Sequence, residues 1–197
     1  MKSLIYSLLS CILLLSCSQQ TIDSFPSFSA QGNINVVVEI PAGTNRKIEY
    51  NPERKTFGVE KINGKDRIID FLGYPGNYGF IPQTKLQKSQ GGDGDAFDAI
   101  ILGSSLPTST IIEVIPLGIL MLNDNGQMDH KLVGIPADVK YQTIKAKTLN
   151  DLKFDYPAIP GILEVWFENY KGFGKATCTG WLDEKKAMDE IKKWTKS

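Results

Sequence analysis

The first third of the chain alternates short apolar runs with turn residues, which is typical of β-strands. The β-branched run from Asn33 to Ile40 ends at Pro41 and predicts a strand. Shorter strands are predicted at Ile48–Tyr50 and Thr56–Ile62, and Asn63-Gly64 marks a tight turn after them. This region therefore predicts a β-rich start to the folded domain.

The middle of the chain continues the pattern of strands. Tyr74–Gly79 is too rich in glycine and proline for a regular element, and Ala99–Leu102 predicts a short apolar strand. Thr110–Leu122 predicts a long strand that is broken near its internal proline and glycine. Asp124-Asn125-Gly126 predicts a hairpin turn, and Lys131–Ile135 predicts the returning strand.

Helical periodicity occurs only toward the C-terminus. Pro160–Tyr170 carries apolar residues at helical spacing, and a last helix is predicted from Asp183, as its N-cap, to Lys196. The predicted buried stripe of that helix is Ala187, Ile191 and Trp194. Many short strands with two or three late helices indicate a mainly β, α+β fold, a small closed barrel with the helices packed outside. A β-sandwich is the alternative.

The N-terminus has the pattern of an export signal. Lys2 precedes an apolar stretch from Leu4 to Leu15, which is too short to span a bilayer but fits the core of a signal peptide. Leu14–Cys17 resembles the bacterial lipoprotein box, with Cys17 as the lipidated residue, and Cys11 follows a weaker match. An ordinary secretory signal is the alternative.

This reading divides the chain into three parts. Residues 1–16 form the signal peptide, residues 17–32 a polar tether, and residues 33–197 the folded domain. We therefore expect an exported lipoprotein, anchored to a membrane of the bacterial cell envelope and facing the periplasm.

Composition excludes several functional classes. The 197 residues fit one domain, and 22 basic residues balance 22 acidic ones, which argues against a nucleic-acid partner. His130 is the only histidine, so a multi-histidine zinc site is excluded. A Ser-His-Asp triad needs one histidine and could use it. Two of the three cysteines lie in the first 17 residues, so a disulfide scaffold is excluded, and Cys178 is expected to pack in the core.

The most informative segment is a glycine-rich acidic loop. Asp93, Asp95 and Asp98 lie within six residues, directly before the strand predicted from Ala99. Carboxylates this close repel one another unless a cation neutralises them, and an all-oxygen set suits a hard ion such as Mg²⁺. The EF-hand pattern fails, because Ser104 stands where its glutamate ligand belongs. A solvated acidic loop is the alternative.

Other polar residues strengthen the prediction of a phosphate site. Asp129 lies past the predicted turn, just before the return strand, Asp124 lies in that turn, and Glu39 interrupts a valine run. The chain also offers cationic and phenolic groups, each by itself more typical of surface or packing positions. Carboxylates for metals, together with lysine, arginine and tyrosine donors, are what binding a small polyphosphate requires.

These motifs together closely resemble family I soluble inorganic pyrophosphatases, from about Asn33 to the C-terminus. The resemblance rests on the following segments, which occur in the family's order: Asp93-Gly94-Asp95-Ala96-Phe97-Asp98, Val38–Pro41, Lys47-Ile48-Glu49, Tyr74–Gly79, Phe80–Thr84, Asp124–Val133 and Phe167–Lys171. It implies a five-stranded OB-like barrel, Mg²⁺ as cofactor, and hydrolysis of pyrophosphate to two orthophosphates. The family also leads us to expect a homo-oligomer.

The resemblance also implies roles for individual residues. Asp95 corresponds to the general base. The implied metal ligands are Asp93, Asp98 and Asp129, with Asp124 and Glu39 for additional metals; the implied phosphate-binding residues are Lys47, Arg67, Lys131, Tyr170 and Lys171; Tyr78 donates a hydrogen bond near the nucleophile or substrate, and Glu49 supports the site. Lys61 and Lys65 are alternatives to Arg67.

Three competing functions remain at this point. One is a catalytically inactive lipoprotein that binds metal and phosphate on the same fold. Another is an OB-fold nucleic-acid binder, which the zero net charge disfavours. The third is an enzyme acting on another phosphoanhydride or phosphoester, such as a nucleotide.

Overall fold

A ring of five strands forms the centre of the molecule. The computed structural model describes residues 21–196, so the predicted signal peptide and Cys17 lie outside the described part. The eleven strands are β1 (Ile34–Ile40), β2 (Ile48–Asn51), β3 (Thr56–Val59), β4 (Lys61–Ile62), β5 (Lys65–Asp66), β6 (Asn77–Ile81), β7 (Phe97–Ile101), β8 (Ile111–Asp124), β9 (Gln127–Met128), β10 (Lys131–Pro136) and β11 (Ala176–Asp183).

Hydrogen bonding closes the ring in the order β1, β6, β7, β10, β8 and back to β1. The β7–β10 pair is parallel, and the other four neighbouring pairs are antiparallel. β11 pairs with the C-terminal half of β8 and so extends the sheet beyond the ring. β2–β3 and β4–β5 form separate two-stranded hairpins. The predicted barrel is thus confirmed, and the sandwich alternative is wrong.

Within residues 21–196, three α-helices cover the barrel. They are α1 (Leu149–Asp155), α2 (Ala158–Asn169) and α3 (Glu184–Trp194). Asp183 caps α3, because its carboxylate accepts a hydrogen bond from the Lys186 N–H at 2.8 Å. The predicted stripe of α3 is buried, as expected. Among the helices of residues 21–196, none is both long and apolar enough to cross a bilayer.

The apolar residues form two clusters, one on each face of the strands. In β7, Phe97, Ala99 and Ile101 belong to the cluster beneath α3, whereas Ile100 belongs to the cluster beneath α1 and α2. Alternation along a strand produces this division. Cys178 packs at the edge of the second of these clusters, and burial raises its pKa to about 12, so its thiol stays protonated at neutral pH.

Several predicted boundaries were wrong. Thr110–Leu122 is not broken: β8 is one strand of 14 residues, and its irregularity is a register shift against β10 opposite Pro116. Tyr74–Gly79 does contain a regular element, because β6 begins at Asn77. Thr56–Ile62 divides into β3 and β4. β11 and α1 were not predicted.

Gly79 shows why β6 forms despite its glycine-rich sequence. A Cβ atom at this position would lie 1.9 Å from the carbonyl oxygen of Val37 on β1. Beside it, the buried side-chain oxygen of Asn77 accepts hydrogen bonds from the Ala42 N–H at 3.1 Å and the Leu106 N–H at 2.7 Å. Glycine therefore allows β1 and β6 to approach, and asparagine satisfies the loop backbone next to them.

The segment before β1 also contacts the barrel. Residues Ile22–Ser24 form one turn of 3₁₀-helix, and the Ser27 hydroxyl donates to the Pro82 carbonyl oxygen at 2.6 Å. Phe28 forms an isolated antiparallel bridge with Ile34. Contacts with the barrel therefore begin well before residue 33.

Candidate functional site

Backbone hydrogen bonds hold the acidic loop in place. The Leu86 N–H donates to the Asp95 carbonyl oxygen at 2.8 Å, and the Gly94 N–H donates back to the Leu86 carbonyl oxygen at 2.9 Å. Within the loop, the Asp93 carboxylate accepts from the Asp95 N–H at 2.9 Å. The Met128 N–H donates to the Gly91 carbonyl oxygen at 2.8 Å. These bonds fix the loop against β9 and place the Asp93 and Asp95 side chains at one edge of the barrel.

Asp98 lies on a strand and not in the loop. We expected the strand to start at Ala99, but β7 starts at Phe97, whose side chain enters the core while Asp98 points to the opposite face. The sheet register places Lys131 of β10 directly beside Asp98. The Lys131 ammonium donates to the Asp98 carboxylate at 2.5 Å, and the Tyr78 hydroxyl donates to the same oxygen.

Two lysines join the acidic residues of this region. The Lys131 ammonium also contacts the Asp129 carboxylate, and its side chain is only 1% exposed. The Lys171 ammonium lies 2.5 Å from a carboxylate oxygen of Asp124 and 3.6 Å from one of Asp129. Asp98, Lys131, Asp129, Lys171 and Asp124 therefore form one continuous chain of alternating charges.

This alternation determines the protonation states. Burial alone would raise the pKa of Asp98, but Lys131 and Lys47 outweigh it, so its pKa lies below the ordinary value. Burial would lower the pKa of Lys131, but Asp98 and Asp129 raise it overall. The pKa of Lys171 is raised as well, by Tyr170 and Asp124 against burial. These groups are therefore charged at neutral pH.

The two small hairpins supply the opposite wall. The Lys47 ammonium, on the residue before β2, lies 3.2 Å from the Glu49 carboxylate. Arg67 follows β5, and its guanidinium pairs with Glu60 at 2.6 Å. The Lys47 N–H donates to the Arg67 carbonyl oxygen at 3.0 Å, which keeps the two cations beside each other.

Glu39 occupies an irregular position in β1. The register against β6 shifts between Val38 and Ile40, so Glu39 is an inserted residue of a β-bulge. Its carboxylate accepts from the Tyr50 N–H at 2.7 Å. Burial is the main cause that raises its pKa, to about 8. Glu39 is thus a buried acid, not an edge charge.

An aromatic cluster supports the site tyrosines. Tyr170 stacks on Trp166, with ring centroids 4.5 Å apart, and Tyr74 lies 4.6 Å from Trp166 and 5.1 Å from Tyr78. The ammonium group of Lys47 lies 5.1 Å from the centre of the Tyr78 ring. Burial raises the pKa of Tyr78 well above its ordinary value, so its hydroxyl remains a hydrogen-bond donor.

One cavity of about 250 Å³ brings these residues together. Its lining consists of Lys47, Glu49, Arg67, Tyr78, Asp93, Asp95, Asp98, Asp124, Gln127, Asp129, Lys131, Tyr170 and Lys171. All the predicted site residues except Glu39 and the lipidation site Cys17 are in this lining. Of the three candidates for one phosphate contact, Arg67 lines the cavity, while Lys61 and Lys65 do not.

Glu39 lines a second, adjoining cavity of about 440 Å³. The two cavities share Asp93, Asp95 and Asp98, together with Lys47 and Glu49. The three aspartates of the acidic segment are therefore common to both cavities, whereas Glu39 lines only the second and Lys171 only the first.

Some residues of the site were not predicted. Gln127 lines the first cavity. Its position between Asp124 and Asp129 in the sequence could have indicated that it belongs to the site. Glu60, the partner of Arg67, and Trp166, which supports Tyr170, gave no local signal, because both contacts depend on tertiary structure. His130 lines neither cavity; its Nδ1 contacts the backbone of Leu122, and burial lowers its pKa.

The carboxylates are close together but are not assembled as a ready metal site. Within residues 21–196, no group of three histidine, cysteine or carboxylate side chains already converges on one point. The ammonium groups of Lys131 and Lys171 lie between the carboxylates instead. The donors are nonetheless all oxygen atoms in charged groups, which is the chemistry that Mg²⁺ requires.

Comparison with known proteins identifies the family. Residues 36–197 match the family model described as "Inorganic pyrophosphatase". The inorganic pyrophosphatase of Neisseria meningitidis serogroup B is 34% identical over 173 residues, which cover 84% of this chain and 90% of that protein.

Solved structures agree with this result. A crystal structure of an inorganic pyrophosphatase from Neisseria gonorrhoeae aligns with a TM-score of 0.71 and 31% identity, covering 88% of this chain and 95% of that one. The inorganic pyrophosphatase of Thermus thermophilus aligns with a TM-score of 0.74 and 26% identity, covering 88% and 96%. This chain therefore belongs to the family I inorganic pyrophosphatases, the family that its motifs resemble.

Proposed function

We propose that the protein hydrolyses inorganic pyrophosphate to two orthophosphates in the 250 Å³ cavity, with divalent metal ions, Mg²⁺ in particular. The observation that carries this proposal is the lining itself, in which four cationic side chains face six carboxylates within one small space. The relatives bear the name inorganic pyrophosphatase over most of this chain. Enzymes of this family depend on metal ions.

The charge of the cavity explains why metal ions must accompany the substrate. Its six carboxylates exceed its four cations, so the lining is net negative and repels a polyanion. Two or more divalent cations held by these carboxylates would reverse that sign. Bound cations also lower the pKa of the attacking water and offset phosphate charge during the transfer.

The residues divide by their chemistry. Asp93, Asp98 and Asp129 would hold the metals of the resting enzyme, and Asp124 and Glu39 those that arrive with substrate. Lys47, Arg67, Lys131, Tyr170 and Lys171 would bind phosphate oxygens, with Glu49 holding Lys47 in position. Metals held by these carboxylates would compete with the ion pairs of Lys131 and Lys171, and the two ammonium groups would then be available to phosphate oxygens.

Asp95 has the properties of a general base. It is exposed at the edge of the cavity, and its backbone is fixed by the bonds to Leu86 and Asp93. A carboxylate in that position takes the proton of the attacking water as the phosphorus–oxygen bond forms. The Tyr78 hydroxyl, held protonated, donates its hydrogen bond to the Asp98 carboxylate, which lines the same cavity as Asp95. Lys131 and Lys47 keep the pKa of Asp98 below its ordinary value against burial, so Asp98 is a weak proton acceptor and suits metal binding better than proton transfer.

The test is phosphate release from pyrophosphate by the full chain, with Mg²⁺ or with EDTA. We expect rapid release that EDTA abolishes and Mg²⁺ restores. Asp95→Asn should slow release by about 100-fold or more, since a positioned base contributes about 10²–10⁴ to the rate. Asp155→Asn, an exposed acid at the end of α1, is the matched control and should leave the rate unchanged.

The same assay separates the alternatives. No release by a folded wild-type chain would favour the inactive metal- and phosphate-binding lipoprotein. Faster release from nucleoside triphosphates than from pyrophosphate would favour the nucleotide enzyme. An Asp95→Asn variant as active as wild type would leave the proposed pyrophosphatase activity intact but would contradict the role of Asp95 as the general base.

We further propose that the protein is an exported lipoprotein anchored through Cys17, and that its substrate is extracytoplasmic pyrophosphate. The support is the sequence of residues 1–20, which the structure does not describe. Cys17→Ser should move the protein from the detergent phase to the aqueous phase in a Triton X-114 partition. Wild-type protein in the soluble cytosol would contradict the proposal.

We also propose that the enzyme is a homo-oligomer. An apolar cavity of about 500 Å³ lies on the outer face of α2, lined by Phe71, Leu72, Ala158, Gly161, Ile162, Val165 and Trp166. Leu72 is 72% exposed and Val165 59% exposed, which is unusual for the surface of a monomer. Analytical ultracentrifugation of wild type and of Val165→Glu should show an assembly that the substitution weakens.

A further inference from the structure

The segment before β1 forms part of the wall around the acidic loop. It lies outside the region matched by the family model, which begins at residue 36. Ile22 and Asp23 nevertheless line the 440 Å³ cavity, together with Glu39, Asp93 and Asp95. The segment that precedes the residues matched by the family model is thus in contact with the proposed site.

Several contacts anchor this segment. The Ser27 hydroxyl is buried where it donates to the Pro82 carbonyl oxygen. The Asn35 N–H donates to the Ser27 carbonyl oxygen at 2.8 Å, and the Asn35 side chain donates to the Pro26 carbonyl oxygen at 3.0 Å. Phe28 packs at the edge of the core beneath α3. The segment therefore reaches the cavity from a fixed base.

Asp23 contacts two walls of the cavity. Its carboxylate accepts a hydrogen bond from the Tyr50 hydroxyl at 3.1 Å. Its backbone carbonyl oxygen accepts one from the Gln83 side chain, on the loop that follows β6. The Tyr50 ring is also held between Phe57 and Phe80, with centroid distances of 5.1 and 6.0 Å. Asp23 thus completes the set of contacts that fix the orientation of Tyr50.

Tyr50 in turn positions Glu39. The Tyr50 N–H donates to the Glu39 carboxylate at 2.7 Å, and Glu39 is only 7% exposed. A carboxylate this deeply buried depends on its donors for its position, because water contributes little. Any movement of Tyr50 in the exposed β2–β3 hairpin therefore moves Glu39 directly.

We propose that Asp23 is a positioning residue, which acts through the Tyr50 hydroxyl to fix the Tyr50 N–H and thereby the Glu39 carboxylate for metal binding. The inference rests on the proposed function, since it takes Glu39 as a ligand of a metal that arrives with substrate. It makes the segment before the barrel a part of the site and not only a tether.

The experiment compares Asp23→Ala, Tyr50→Phe and the double variant in the full chain. Tyr50→Phe removes only the hydroxyl and keeps the ring contacts and the N–H that reaches Glu39. Asp138→Ala is the matched control, because Asp138 is also an acid beside a 3₁₀ turn but lines neither cavity. Mg²⁺ binding is measured by calorimetry with methylenediphosphonate, a substrate analogue that is not hydrolysed.

We expect Asp23→Ala and Tyr50→Phe each to weaken Mg²⁺ binding by about two- to tenfold, the range for the net contribution of one ordinary intramolecular hydrogen bond. The double variant should be no weaker than either single one, because both remove the same contact. The rate at saturating Mg²⁺ should stay within about twofold of wild type, because Asp95 and the phosphate-binding residues are untouched.

Three results would overturn the proposal. One is Mg²⁺ affinity in both variants equal to that of Asp138→Ala. Another is a double variant whose loss is the product of the single losses, which would show that the two residues act separately. The third is a fall in the metal-free melting temperature and in the saturated rate alongside the affinity, which a purely structural role predicts. The binding measurement needs no turnover, so it remains informative even if wild type releases no phosphate and the proposed function fails.

Discussion

The two walls of the 250 Å³ cavity are built in different ways. The barrel side consists of Tyr78, Asp98, Asp129 and Lys131, and the hairpin side of Lys47, Glu49 and Arg67. Three residues of the barrel side lie on strands of the closed ring, where the register sets their neighbours. The hairpin side lies on or beside two-stranded sheets that are not part of the ring.

This difference separates the two tasks of the site. Two-stranded hairpins are marginally stable by themselves and adjust easily, whereas strands of a closed ring move only with the whole barrel. The barrel side therefore suits groups whose positions must not change, such as metal ligands. The hairpin side suits cations that close on phosphate oxygens once the substrate has entered.

The largest expected effect comes from changing the contact between strands of the ring. Gly79→Ala places a Cβ atom against the Val37 carbonyl oxygen, which forces β1 and β6 apart and displaces Tyr78. We expect a loss of stability of about 3 kcal/mol or more, with loss of activity. Urea unfolding followed by tryptophan fluorescence measures it.

Gly58→Ala is the matched change on the hairpin side. Gly58 lies on β3, and a Cβ atom there would meet nothing within 4 Å. Its stability should stay within about 0.5 kcal/mol of wild type. Equal losses in the two variants would contradict the distinction between the two sides.

The second effect concerns the buried lysine of the barrel side. Lys131→Met leaves Asp98 and Asp129 facing each other without their cation. In EDTA we expect a loss of stability of about 3 kcal/mol, since breaking a buried ion pair leaves uncompensated charge. Phosphate release should fall by about 100-fold or more.

Added Mg²⁺ provides the internal check on Lys131→Met. A divalent cation can replace the ammonium group between the carboxylates, so Mg²⁺ should restore part of the lost stability but little of the activity. The comparison requires melting curves of the variant in EDTA and in Mg²⁺. If Mg²⁺ stabilised the variant no more than wild type, Lys131 and the metals would not share these carboxylates.

The sequence predicted the chemistry of this site better than its shape. Asp93, Asp95 and Asp98 were found because they lie in one short motif, and the Asp183 cap because capping is local. β11 was missed because it is defined by pairing with β8, about 60 residues earlier. The bulge at Glu39 likewise exists only against β6. Local signals therefore sufficed for residue types and helix ends, and long-range pairing had to come from the structure.

The third effect tests the hairpin side. Arg67→Met removes a cation from the cavity and leaves Glu60, which is partly exposed, to be solvated. We expect phosphate release to fall by about 10- to 100-fold, with a higher KM for pyrophosphate, since one charge-assisted contact is lost. Stability should change by about 1 kcal/mol or less, because the Arg67–Glu60 pair is still partly accessible to water and such pairs contribute little. A loss of stability as large as that of Lys131→Met would mean that Arg67 also holds the fold together.

The smallest effect belongs to Lys61, which the sequence offered as an alternative to Arg67. Its ammonium pairs with Asp66 at 2.8 Å in the same hairpin, and the pair is solvent-exposed and outside the 250 Å³ cavity. Lys61→Met should therefore leave the KM and kcat for pyrophosphate within about twofold of wild type, since an exposed pair contributes little to either stability or binding. Arg67→Met is the matched comparison, because both variants replace a cationic side chain with methionine at nearby positions. The opposite result, a higher KM in Lys61→Met but not in Arg67→Met, would contradict the assignment of Arg67. It would mean that the β4–β5 hairpin rotates when substrate binds and brings Lys61 into the cavity in place of Arg67.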